Sequence, residues 1–331
     1  MSKSNAKARS KSVQTSVEVI TIVGCGKVGA SIALLLLQQN KAGRIINIME
    51  PMAGRQGHIM ELLHCQVMHP DTVLRINDTN CFSESNVIIH TAGIMQKIIG
   101  SRMEVARGNI EMAVQIYRDV VFSNDPVMIV VSNPVDVISY FISQYAQIPS
   151  NRIIGTGTLI DSFRMAANIA KYFGVNGSEV SAMVIGEHGE TMVPVFSSVL
   201  VRNKPLGKQY LKDARFIQEI RTETIFAARN IKRTQSATYL GIADATVFLL
   251  DKLTSSAESI LPASVMLPIG IKERLNISED LFLSFPLKIS GGNWTIQLPE
   301  LEESEWSQLR VSAIYLESVV NGLQGKPFAA E

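Results

Sequence analysis

From residue 17 to about residue 155, short apolar runs alternate with longer segments whose apolar positions recur every three or four residues. The run at 17–23 predicts a buried strand, 30–38 a helix and 44–49 a second strand, with further buried strands at 87–90, 127–131 and 152–154. Strand and helix patterns in alternation predict an α/β domain on a doubly wound parallel sheet. The strands at 87–90 and 127–131 run into Thr91-Ala92-Gly93 and Ser132-Asn133-Pro134. Ligands of such sheets bind at the carboxyl ends of the strands, so both small polar tripeptides should face a cleft.

Beyond Gly155-Thr156-Gly157-Thr158 the pattern changes. A helix is expected over 159–173, then strands at 180–185 and 192–201 with a turn at 203–207, and a strand at 281–289 before Gly291-Gly292-Asn293. Long helical patterns cover 209–233, 237–253 and 303–323, and no internal repeat is visible. The expected organisation is therefore a flexible arm over 1–17, a parallel α/β domain over 18–155 and a mixed α+β domain over 156–331.

The first strand passes directly into Gly24-Cys25-Gly26-Lys27-Val28-Gly29. At this spacing the first glycine permits a tight turn and the second lets backbone approach a pyrophosphate. The third allows the helix to pack close to the strand. The segment reads as the dinucleotide cradle of a Rossmann-type domain, with the phosphates at the helix N-terminus.

Composition narrows the class. With 331 residues, 46% of them hydrophobic, the chain can build two domains around one cleft. A net charge of +1 with dispersed Lys and Arg argues against a nucleic-acid partner. The longest strongly apolar stretch, 32–37, is far short of a membrane span. Cys25, Cys65 and Cys81 form neither a CxxC pair nor an even set, which suits a reducing, cytoplasmic compartment. Residues 1–17 are basic and Ser-rich, a composition that leaves a mitochondrial transit peptide as the alternative to a flexible arm. No metal site is expected, because His64, Cys65 and His69 follow no recognised ligand spacing.

Three segments carry candidate chemistry. His188 stands between glycines in Gly186-Glu187-His188-Gly189, at a strand end where little bulk obstructs it. An imidazole there can pass protons if a carboxylate orients it, and otherwise it is an ordinary turn histidine. Asp161 is the candidate carboxylate, and Arg164, one helical turn later, is suited to clamp a substrate carboxylate through two parallel hydrogen bonds. Gln96-Lys97-Ile98-Ile99-Gly100-Ser101-Arg102 follows a strand end and reads as a mobile lid that brings Arg102 to a substrate carbonyl.

The segments 24–29, 91–93, 132–136, 160–164, 186–189 and 237–241 together resemble the L-lactate and malate dehydrogenase family, in its order and spacing over about residues 18 to 325. The resemblance implies an NAD-dependent oxidoreductase acting on a small 2-hydroxy or 2-oxo acid, assembled as a homodimer or homotetramer. It implies that His188 gives a proton to the substrate carbonyl, that Asp161 stabilises its imidazolium, and that Arg102 polarises the carbonyl. Arg164 would hold the substrate carboxylate, with Asn133 and Thr238 lining the pocket. Cofactor contacts would come from Gly24, Gly26, Lys27, Val28, Gly29, Glu50, Thr91, Ala92, Gly93, Asn109, Ser132 and Asn133.

Gln96 occupies the position where malate enzymes of this family place an arginine against the second carboxylate. A neutral amide supplies no counter-charge, so pyruvate is favoured over oxaloacetate. The alternatives are a malate or branched 2-hydroxy-acid dehydrogenase, and a catalytically silent nucleotide-binding relative. The last is motivated by two departures. Met95 replaces a polar or basic residue near the cofactor phosphates, and Met49 stands where the family has the acidic residue that binds the adenosine ribose. Glu50 follows one position later, an offset that normally turns a side chain to the wrong face of a strand. A carboxylate at the ribose favours NAD over NADP, and Arg55 nearby leaves that preference open.

Overall fold

A computed structural model describes residues 18–94, 102–235, 237–298 and 300–324, with residues 102–104 described by their backbone. The strands are β1 (Glu18–Val23), β2 (Arg44–Met49), β3 (Val73–Ile76), β4 (Val87–His90), β5 (Val127–Val130) and β6 (Ile153–Gly155). They continue as β7 (Val180–Ile185), β8 (Val193–Val201), β9 (Lys204–Pro205), β10 (Ser259–Met266), β11 (Phe282–Ser290) and β12 (Asn293–Ile296). The first six pair in parallel in the order β3-β2-β1-β4-β5-β6, the doubly wound arrangement whose direction of winding reverses between β1 and β4.

The strands expected to belong to a separate second region do not all leave this sheet. β10 joins β6 antiparallel through the pair Ser264↔Gly155, and β11 and β12 extend it to nine strands among the described residues. β7, β8 and β9 form a second, antiparallel sheet. β10 escaped the sequence pattern because Pro262 interrupts its apolar run; that proline faces Pro286 of β11.

Other departures have local causes. The first helix begins at Lys27 rather than residue 30. The helical pattern over 209–233 is three helices, Lys208–Leu211, Ala214–Ile225 and Ala227–Lys232. Asp213 ends the first by capping the second, its carboxylate accepting from the N–H groups of Arg215 and Phe216 at 2.9 and 3.3 Å. The helix expected from residue 237 starts at Leu240, which leaves Thr238 in the irregular segment before it.

Two apolar cores result. The larger runs along the nine-stranded sheet from Ile20 and Ile46 through Ile129 and Ile154 to Phe285. The smaller lies between β7, β8 and the helix Ala214–Ile225, around Val184, Phe196 and Phe216. The helix Leu159–Phe173 is shared, with Leu159 in the first core and Met165 and Ile169 in the second. A helix packed on two faces holds its remaining face at a fixed angle to the strand ends. Asp161 and Arg164 lie on this helix.

Candidate active site

The cradle forms as the glycines require. Gly24 turns with φ +97°, and a Cβ there would stand 2.7 Å from the Ala92 backbone. A Cβ on Gly29 would meet the Gly24 carbonyl oxygen at 2.0 Å, so only glycine lets the helix approach this closely. Thr91 ties the loop down by donating its hydroxyl to the Gly24 carbonyl at 2.8 Å. The helix Lys27–Gln38 starts with no side-chain cap and no acidic residue in its first turn. Its first N–H groups are therefore open to an anion, and the space above Gly26 is open, with Arg55 the nearest neighbour at 3.7 Å from a Cβ placed there. These features fit a dinucleotide pyrophosphate.

Ser132 and Asn109 extend the belt at the carboxyl ends of β4 and β5. The Ser132 hydroxyl donates to the Ala92 carbonyl at 2.6 Å. The buried amide of Asn109 accepts from the Ile94 N–H at 2.6 Å and donates to the Asn133 carbonyl at 2.8 Å. Asn109 thus braces Asn133 against the chain leaving Gly93.

Glu50 does not point away from the loop, as a one-residue offset on a straight strand would require. Beyond β2 its main chain is held by the Asn77 side chain, which accepts from the Glu50 N–H at 2.8 Å and donates to the Glu50 carbonyl at 3.2 Å. The carboxylate turns inward beneath the cradle, where the Cys25 N–H donates to it at 2.7 Å. Met49 packs its side chain against the larger core.

Asp161, on the helix Leu159–Phe173, bridges His188 and Arg164. One carboxylate oxygen is 2.7 Å from Nδ1 of His188 and the other accepts from Arg164 at 2.8 Å. The Asp161 side chain is 1% exposed, whereas His188 and Arg164 retain 20% and 16%, so the link is buried while both partners keep some access to solvent. Burial pushes the Asp161 carboxyl up, but the charges and hydrogen bonds of His188 and Arg164 outweigh it and hold the group below its usual range. For His188 burial acts downward and Arg164 adds to it. Asp161, with Asp136 behind, prevails and raises the imidazole above its ordinary value.

The His188 loop is fastened at three points. Gly186 exchanges backbone hydrogen bonds with Ser284 of β11 at 2.9 and 3.2 Å. The Glu187 N–H donates to the Ser312 hydroxyl at 2.8 Å. The His188 N–H donates to Asp136 at 2.9 Å, and Asp136 also accepts from the Ser264 hydroxyl. Burial pushes the Asp136 carboxyl up to about 6, against the donors that favour its charge. Asp136 was legible within Ser132–Asp136 as a motif but not as a support for His188. The available signal was an acid in the first turn of the apolar helix Val135–Tyr145, where burial implies a dedicated partner.

Thr238 is half-buried just before the helix Leu240–Thr254, which packs against both the Lys27–Gln38 helix and the Leu159–Phe173 helix. The neighbouring Tyr239 ring lies 5.5 Å from the Lys27 ammonium. Arg102 opens the helix Arg102–Tyr117, and its side chain lies outside the described residues, as do Gln96 and the rest of the expected lid. Residues 1–17 lie outside them too. Among the described residues no group of His, Cys, Asp and Glu is arranged to hold a metal, and no helix is long and apolar enough to cross a membrane.

The sequence pattern of the lactate/malate dehydrogenase NAD binding domain matches residues 18–155, and that of the lactate/malate dehydrogenase alpha/beta C-terminal domain matches residues 158–324. An L-lactate dehydrogenase of Clostridium botulinum is 28% identical over 316 residues, covering 92% of this chain and 97% of its own. The structure of a Cryptosporidium parvum lactate dehydrogenase complexed with lactic acid and nicotinamide adenine dinucleotide superposes with a TM-score of 0.84 at 26% identity, covering 95% of this chain and all (100%) of its own. The malate dehydrogenase of the same organism reaches 0.83 at 24% identity, covering 93% and 99%, so the fold alone does not separate the two substrates.

Proposed function

Since the chain belongs to the lactate/malate dehydrogenase family, we propose that it interconverts L-lactate and pyruvate by NAD-dependent hydride transfer. The observation that carries this reading is the Asp161 carboxylate shared between His188 and Arg164 at 2.7 and 2.8 Å. It supports reading His188 as the proton donor and Arg164 as the carboxylate clamp, with the cofactor held at the cradle of Gly24, Gly26, Lys27, Val28 and Gly29.

NAD, when bound, supplies and accepts the hydride. The protein's part is binding, orientation and the proton. Arg164 holds the substrate carboxylate, which sets the 2-oxo group against His188. The His188 Nδ1–H stays on Asp161, so Nε2 carries the proton that passes to the carbonyl oxygen in reduction and returns in oxidation. Arg102 stabilises the charge that develops on that oxygen. Asn133, braced by Asn109, and Thr238 close the pocket. Gln96 leaves a second substrate carboxylate without a counter-charge, which favours pyruvate over oxaloacetate.

The assembly is a homo-oligomer. Met60, Leu63, Val67 and Met68 are exposed along and just beyond the helix Gln56–Gln66, an apolar surface suited to a second copy.

The test is a steady-state screen of pyruvate, oxaloacetate and 2-oxoisocaproate with NADH. Fastest turnover of pyruvate is expected. Preference for oxaloacetate or 2-oxoisocaproate would transfer the assignment to those acids, and nucleotide binding without any turnover would leave a silent relative.

A further inference from the structure

The adenosine end of the cradle carries an arrangement that bears on which dinucleotide it takes. In Rossmann-type sites an acidic side chain after the second strand accepts hydrogen bonds from the ribose hydroxyls, and its charge repels a 2′-phosphate. Glu50 is poorly placed for either task. One of its carboxylate oxygens accepts from the Cys25 N–H at 2.7 Å and from Arg55 Nη1 at 3.0 Å, and the other from the Met52 N–H at 3.0 Å. Its side chain is 2% exposed. A ribose hydroxyl would therefore meet a carboxylate that is enclosed, paired with Arg55 and already supplied with donors.

Arg55 is the group left at the surface of this site. Its side chain is 27% exposed, and its guanidinium is the nearest contact of a Cβ placed on Gly26, the cradle glycine that would let a cofactor backbone approach. The contact with Glu50 occupies Nη1, and a guanidinium has further N–H donors in the same plane, a fork that matches the oxygens of a phosphomonoester. His58, one turn on, is fixed against the same loop by Nδ1 at 2.8 Å from the Cys25 carbonyl. The loop end thus has a cation outside and its anion inside.

We propose that Arg55, with His58 beside it, forms a recognition site for a phosphate on the 2′ position of the adenosine ribose, so that the protein accepts NADP as well as NAD. This rests on the dehydrogenase reading above and names the cofactor class more finely. Buried Glu50 moderates the site by pairing with Arg55, which leaves the 2′-hydroxyl form acceptable instead of excluded.

The experiment is calorimetric titration of the full chain at fixed pH and ionic strength with adenosine 2′,5′-bisphosphate and with 5′-AMP, neither of which undergoes reaction. The bisphosphate is expected to bind as tightly as 5′-AMP or more tightly. Arg55→Ala should weaken the bisphosphate at least tenfold more than 5′-AMP. Because Arg55→Ala leaves a buried carboxylate unpaired, Glu50→Gln is the second variant. It keeps Arg55, removes the opposing charge and should tighten the bisphosphate selectively. NADPH should support pyruvate turnover in the native protein.

Binding of 5′-AMP with the bisphosphate at least tenfold weaker would overturn the proposal, as would Arg55→Ala weakening both ligands equally. If NADH turnover accompanies either result, the dehydrogenase reading stands and only the 2′-phosphate site is lost. Failure of both nucleotides to bind, with no NADH turnover, would overturn both.

Discussion

The main-chain N–H of His188 donates to the buried carboxylate of Asp136 at 2.9 Å, while its ring is held by Asp161 at 2.7 Å. One carboxylate fixes the loop and the other fixes the imidazole. Asp161 is an anion throughout, and Asp136 becomes one above about pH 6, where both stabilise the protonated ring against the adjacent Arg164.

The pH dependence follows from the raised pKa of His188. In the proposed mechanism, reduction of pyruvate uses the protonated imidazole, so its kcat/KM should be full at and below the ordinary histidine range and fall as pH rises through the raised value. Oxidation of lactate uses the neutral ring and should rise over the same interval. Initial rates in both directions from pH 5.5 to 10 check this. Parallel rather than mirrored limbs would exclude His188 as the proton carrier.

Asp161→Asn keeps the volume of the carboxylate and removes its charge. The ring loses the partner that orients and charges it, and kcat for pyruvate reduction should drop by about 10²–10⁴-fold, the usual contribution of a positioned acid. Pyruvate affinity should weaken as well, because Arg164 loses its anchor. Circular dichroism spectra matching the native protein would separate this from misfolding.

Asp136→Asn retains an acceptor for the His188 N–H and removes the second negative charge. The alkaline limb of pyruvate reduction should move to lower pH by on the order of half a unit or more, the scale of a partly buried charge interaction. The groups facing His188 are Asp161, Asp136 and Arg164, so the variant isolates one of two anions. An unmoved limb with reduced stability would assign Asp136 to holding the loop alone.

Gln96→Arg supplies the counter-charge that a dicarboxylic substrate needs. The ratio of kcat/KM for oxaloacetate over pyruvate should rise by about two orders of magnitude, equivalent to roughly 3 kcal/mol for a desolvated charge pair. Steady-state kinetics with both acids measure it. An unchanged ratio would remove position 96 from substrate selection.

Leu63→Glu introduces a charge into the exposed apolar surface of the helix Gln56–Gln66. The protein should shift toward monomer in sedimentation velocity at micromolar concentration, with its circular dichroism unchanged. Retention of the native sedimentation coefficient would place the subunit contact elsewhere.

Much of this arrangement was legible because its signals are local. The cradle at 24–29 depends on Gly24 turning to positive φ and on Gly29 admitting the Gly24 carbonyl, and the spacing of the glycines within six residues displays both demands. Asp161 and Arg164 share a face because they are one turn apart. The split of the 209–233 pattern at Asp213 was also local, but a capping aspartate looks like any polar residue until the helix phase changes there. The orientation of Glu50 was left open by its one-residue offset, and it is decided by Asn77, just beyond β3, which takes hold of its main chain.

Taken by itself, the chain of residues determined the alternation of strands and helices, the glycine cradle, and the placing of Asp161 and Arg164 one turn apart on a single helix. Each of these is written in neighbours within a few positions, whereas the contact of His188 with Asp161 spans 27 residues and is a product of the fold. Only the tertiary structure decided that β10 continues the sheet through Ser264, that Asp136 reaches the His188 loop, and that Glu50 hides while Arg55 faces outward. Those outcomes depend on which distant segments pack together and on which buried charges find partners, and a desolvated carboxylate takes the nearest available donors wherever in the sequence they originate.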